Sequence, residues 1–220
     1  MGLFSLKSMK EREEATEKRW PTIRSVRFKK YSEGYEFYQI PRGNGRSGTR
    51  TVSVYVGDYY SVPLSSSQWY GLRALYALLL LGSAALFLFC GTRRISFNLT
   101  WYAAILELPT IFLYLYLLVV LFYYTIAPKK MTVYDYRTTS LRLQKFCLFL
   151  MAILLADTAA AVLHLCFNGF AEASSTLLSA GGFLISAVLI DVINRVEKTL
   201  PYEKEKSQDK APENGKKVIC

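Results

Sequence analysis

The sequence predicts an all-α transmembrane fold. It is a four-helix membrane bundle, preceded by a small N-terminal cytoplasmic β-hairpin region and followed by a disordered C-terminal tail. Three observations predict this. Four stretches stay apolar over the roughly 20 residues needed to cross a bilayer. Basic residues concentrate in alternate segments between those stretches. The flanking segments change character, from strand-like alternation near residue 50 to a Lys- and Glu-rich tail after residue 200.

Composition fits this division. The chain has 220 residues, 52% of them hydrophobic, yet carries 27 Lys and Arg against 17 Asp and Glu, a formal charge of +10. Apolar blocks with charged ends exclude a disordered chain and a collagen. Four cysteines are too few for a disulfide framework. The expected regions are 1–68, cytoplasmic; 69–194, the membrane domain; and 195–220, the tail.

The N-terminal region comes first. Residues 4–20 are expected to form a charged helix, either solvated or resting on a membrane surface through Leu3, Phe4, Leu6 and Met9. Gly2 does not signal myristoylation, because that pattern needs Ser or Thr at position 6, where Leu6 stands. No cleavable signal peptide is expected here, so the first span itself directs insertion. Val52, Val54 and Val56 alternate with Ser53 and Tyr55, and a similar alternation covers residues 35–40. Asn44-Gly45 between them predicts a β-hairpin, since both residues tolerate positive φ. The hairpin is expected to gain a third strand from Thr22–Lys30, or to lean on the membrane or a partner. Gly43, Gly45 and Gly48 also spell G-x-G-x-x-G, but a dinucleotide site needs a helix next, and a strand-like run follows.

The spans are expected at about 69–90, 101–126, 146–167 and 173–193. Basic residues set their direction. Residues 1–68 hold 12, the loop 91–100 holds two, segment 127–145 holds five, and the tail from Arg195 holds seven. The positive-inside rule then puts both termini and the middle loop in the cytoplasm of a cell-membrane protein. Trp69, Tyr70, Trp101, Tyr102, Tyr123 and Tyr124 fall at span ends as interfacial belts. The positive charge thus serves threading and attraction to anionic lipids, with no nucleic acid as partner.

Function should show in the polar residues within the spans, which are costly there and usually face the bundle interior. Glu107, Asp157, His164 and Asp191 are the candidates. Glu107 and His164 enter from the same side and could meet. With Asp157 they would make a polar track for protons or ions, or else a buried contact that fixes packing. Asp191 is placed to pair with Arg195 or Arg73. Ala152, Ala156 and Ala160 on span three, and Ser175, Ser179, Gly182 and Ser186 on span four, give small faces that let helices approach. A tight hairpin of spans three and four follows, turning at Asn168-Gly169, with Ser179 and Ser186 as donors to Asp157. Span two, bulky on all sides, is expected to face lipid.

Cys90 and Cys166 fall at the outer ends of their spans and are the possible disulfide. No metal site is expected, because no H-E-x-x-H or paired-cysteine spacing occurs. No cofactor and no catalytic residue is expected either. Cys220 is last, not four from the end, so prenylation is not signalled. Asn98-Leu99-Thr100 has the form of a glycosylation sequon beside the membrane surface, by chance occurrence. The expected role is a non-enzymatic multi-pass membrane protein, an assembly partner or accessory subunit for a membrane or cytoplasmic protein. The alternative is a small proton- or ion-coupled transport component using the intramembrane acids.

Overall fold

The structure is a computed structural model, and it describes residues 34–41, 49–168, 173–206 and 216–218. The expectations for residues 2–20, 22–30, the Asn44-Gly45 turn, Gly169 and Cys220 lie outside the described residues. The chain is mostly helical, with short strands. It divides into two compact units, one of Met1–Tyr59, Thr132–Tyr134 and Lys204–Cys220, the other of Tyr60–Met131 and Asp135–Glu203.

The first unit is built on a sheet. Strands β1 (Tyr35–Pro41) and β2 (Thr49–Tyr55) pair antiparallel, with Tyr35 opposite Tyr55 and Pro41 opposite Thr49. Tyr55 anchors this unit. Its hydroxyl donates to the Asp58 carbonyl at 2.8 Å and accepts from the Val133 amide at 3.0 Å. Its ring covers Gly34 and Gly57, where a Cβ would come within 2.7 Å of it. Gly34 also has φ +85°, a backbone state that L side chains rarely adopt.

Strands β3 (Asp58–Ser61), β4 (Lys130–Thr132) and β5 (Glu203–Lys206) make a second sheet in the order β4-β3-β5. Strand β6 (Lys216–Val218) lies antiparallel to β1, with Val218 opposite Phe37. Among the described residues, the third strand of the hairpin sheet is β6. One correction follows: the C-terminal segment, expected to be disordered, carries β5 and β6. A three-residue strand has no periodicity of its own to read, and forms only against an edge that already exists.

The second unit holds four long helices: α1 (Ser66–Gly91), α2 (Trp101–Ile126), α4 (Ser140–Asn168) and α5 (Ala173–Thr199), with the short α3 (Val133–Thr138) leading into α4. All four are long and apolar enough to cross a membrane. Their outer faces are apolar too, with Leu78 68% and Phe112 69% exposed, as lipid contact requires and water would not favour. The helices pack as a ring, α1-α2-α4-α5, with α4 and α5 most closely joined and α1 diagonal to α4.

Helix ends show why the chain folds this way. Ser65 and Gln68 form a capping box at the start of α1, and Thr100 caps α2. Asn98 folds back on the end of α1, its amide donating to the carbonyls of Cys90, Gly91 and Arg93 at 2.8–3.0 Å. Arg73 of α1 closes the end of α2, donating to Thr125 O at 2.8 Å and to Ala127 O. Ser65 and Thr100 satisfy amides that no helical turn precedes, Asn98 and Arg73 satisfy carbonyls that no turn follows, and a cation also suits the negative end of the helix dipole.

The buried seam of α4 is Leu143, Cys147, Leu150, Leu154, Asp157, Ala161 and His164, spaced 4, 3, 4, 3, 4, 3. This differs from the alanine face expected for it. Ala152 and Ala156 are exposed and Ala160 is half-buried. A strict four-residue spacing drifts around a helix of 3.6 residues per turn, whereas alternating fours and threes stay on one side. On α5, Ser179, Gly182 and Ser186 are buried and Ser175 is half-buried. Gly182 lies against Cys90 Sγ, so closely that a Cβ there would overlap it. Span two also differs from the lipid-facing reading. Its Thr110, Tyr114, Leu117, Val120, Leu121 and Tyr124 are buried on one side.

Candidate functional site

Three polar clusters occupy the bundle, at its two ends and its middle. The largest was not signalled as a site by the sequence. Glu197, on the last turn of α5, is 1% exposed. Its Oε2 accepts from the hydroxyls of Tyr76 on α1 and Tyr124 on α2, both at 3.0 Å. Its Oε1 accepts from Tyr202, just beyond α5, at 2.6 Å. Three helices and the following turn therefore converge on one carboxyl group. Burial, and then the adjoining Glu197 carboxyl, push the Tyr202 phenol well above its ordinary range, which keeps it protonated and donating.

Rings enclose this cluster. Trp69 and Tyr124 stand 5.4 Å apart, Tyr136 and Tyr202 4.8 Å apart, and Tyr60 stacks on Tyr136 at 4.3 Å. The Arg73 guanidinium sits 4.5 Å over Trp69 and 5.8 Å from Tyr124. The signal for Glu197 was the period of α5. Thr176, Ala180, Phe183, Ala187, Ile190, Asn194 and Glu197 continue one inward line in steps of four and three. Hydropathy ends that helix near 193, so the acid was left to the tail.

In the middle, Ser83 of α1 shares a 2.6 Å hydrogen bond with the Tyr114 hydroxyl and donates to Ser186 O at 3.0 Å. Ser186 returns the bond to Ser83 O at 3.2 Å. This ties α1, α2 and α5. It also places Ser186 away from the role expected for it, since its hydroxyl serves α1 and not Asp157.

Asp157 is fully buried, and neither carboxyl oxygen has a hydrogen-bond partner. Ser179 Oγ is likewise buried without one. Glu107 is half-buried. Its carboxyl group packs over Gly91 at the end of α1, Oε1 falling 3.5 Å from where a Cβ would stand, and Oε1 has no partner.

His164 is held elsewhere. Its Nδ1 bonds the Tyr102 hydroxyl and its Nε2 the Ser96 hydroxyl at 3.2 Å, with Phe97 edge-on at 5.7 Å. A groove of about 360 Å³ lined by Tyr102, Ala160, Leu163 and Phe167 passes beside it. Asp191 pairs with Arg195 at 2.5 Å on an exposed face of α5, while Arg73 serves α2. Cys90 and Cys166 are free thiols, Cys90 buried toward α5 and Cys166 exposed. Their helices are diagonal, so the ring does not bring them together. Among the described residues, no three His, Cys, Asp or Glu side chains are grouped to hold a metal ion.

No protein-family model, curated protein or solved structure matches this chain.

Proposed function

We propose that the chain is a four-span protein of the cell membrane with both termini and the 127–145 loop in the cytoplasm. It acts without catalysis, as an assembly partner or accessory subunit for another membrane or cytoplasmic protein. The observation that carries this reading is the use made of interior polar groups. Tyr76, Tyr124, Tyr202 and Glu197, and Ser83, Tyr114 and Ser186, bond one another across helices. Polar groups spent on joining helices suit a scaffold, and the basic flanks support the threading.

Two measurements test it. Single cysteines at 50, 135 and 210 should label from the cytoplasmic side and those at 95 and 170 from outside; external labelling at 135 would overturn the threading. Cross-linking in native membranes should trap the chain in a larger complex that is lost when residues 35–61 are deleted. A chain that stays monomeric in its own membrane would end the partner role.

Asp157 favours a second reading, a proton- or ion-coupled component. A buried carboxyl group with no donor suits transient loading by a proton or cation. Proteoliposomes of the wild type should then carry a flux that Asp157→Asn abolishes at equal protein content. Equal flux in both would remove this reading.

A further inference from the structure

A recess opens where the start of α1 meets the end of α2. Its volume is about 220 Å³, and Ser66, Trp69, Arg73 and Lys129 are among the residues that line it. Two cations border it, and among the described residues no acid does. Arg73 is 5% exposed and spends Nη1 and Nη2 on the α2 carbonyls. That leaves its Nε buried without an acceptor, and Trp69 Nε1 beside it is buried without one too. A buried donor left unmatched is costly. Arg73 and Trp69, each with one such donor, both line the recess, with the exposed Lys129 and Ser66 at its rim.

We propose that this recess binds a phosphate group. A tetrahedral anion suits it because its oxygens accept several hydrogen bonds at once and balance Arg73 and Lys129. The size points to a headgroup and not a whole lipid, since pockets that enclose a drug-sized ligand run to roughly 300–1,000 Å³. The position agrees. Both helices that build the recess are long enough to cross a membrane, and they meet here at their ends, the depth at which headgroups lie. Basic pockets between spans are known to receive anionic headgroups. The proposal goes beyond the partner role and does not depend on it. The same chemistry could come from an anionic phospholipid or from free phosphate.

The test uses the full chain in an uncharged detergent and follows its thermal unfolding. Dioctanoyl phosphatidylglycerol, dioctanoylglycerol and inorganic phosphate are added separately. A saturable rise of the midpoint with the phospholipid but not with dioctanoylglycerol supports a lipid phosphate. A rise with inorganic phosphate of equal affinity supports a free anion. Lys129→Glu and Trp69→Phe should each weaken the apparent affinity, Lys129→Glu by roughly fivefold to tenfold. Lys145→Glu makes the same charge change on the exposed face of α4 and should leave it unaltered. Protection by neither phosphate, or equal weakening by Lys145→Glu, overturns the proposal.

Discussion

Among the described residues two acids are buried in this bundle, and the chain treats them in opposite ways. Glu197 receives three tyrosine hydroxyls from three parts of the fold. Asp157, about as well hidden, receives none. The difference teaches which acid the fold uses to hold itself together. A buried carboxyl group with donors on every side joins the elements that supply them, whereas one without donors is a net cost that packing must offset.

The largest test of that contrast is Glu197→Ala. It removes the shared acceptor of three hydroxyls at once, two of them buried, and should destabilise the bundle by roughly 3–5 kcal/mol, read from unfolding in mixed micelles. A loss below that of a single tyrosine variant would break the comparison. Next come the seams. Ala161 is buried beside Asp157, while Ala156 faces outward. Ala161→Leu should then cost about 1–3 kcal/mol by overpacking, and Ala156→Leu close to nothing. Equal costs would move the α4 seam back to the alanine face.

Tyrosine hydroxyls give a smaller step. Tyr76→Phe and Tyr124→Phe should each lose about 0.6–1.7 kcal/mol, the span of measured intramembrane hydrogen bonds. A double variant coupled beyond its singles would sharpen the picture of one shared carboxyl group. Asp157 should show the least. Asp157→Asn removes an acid that no donor supports, so stability should change by less than about 0.5 kcal/mol. A clear loss would reveal a partner for Asp157 and erase the contrast.

The four helices were legible in the sequence because a span needs only length and apolar composition, and the ends found at 69–90 and 101–126 differ little from Ser66–Gly91 and Trp101–Ile126. The hairpin was legible for a similar reason, since alternation at 35–40 and 52–56 is a strong local signal. What joins the helices was not. Tyr76 and Tyr202 meet Glu197 across 121 and five residues, and no local pattern links them. Small residues also misled on α4, where recurrence every four was taken for the packing face. Leu154, Asp157 and Ala161, mixed in size and polarity, make the seam instead. Asp191 and Arg195 were easier, because i, i+4 neighbours on a helix need nothing from the rest of the fold.

The Asn98 clamp bears on the sequon Asn98-Leu99-Thr100. A sugar would be attached to the same amide nitrogen that donates to the carbonyls of Cys90, Gly91 and Arg93. Glycosylation would leave that nitrogen one hydrogen for three acceptors and set a bulky group against the last turn of α1. Modification here and an intact end of the first span are therefore alternatives. A glycan found at Asn98 would mark chains in which α1 terminates differently, and would say more about the shape of that end than about the compartment it faces.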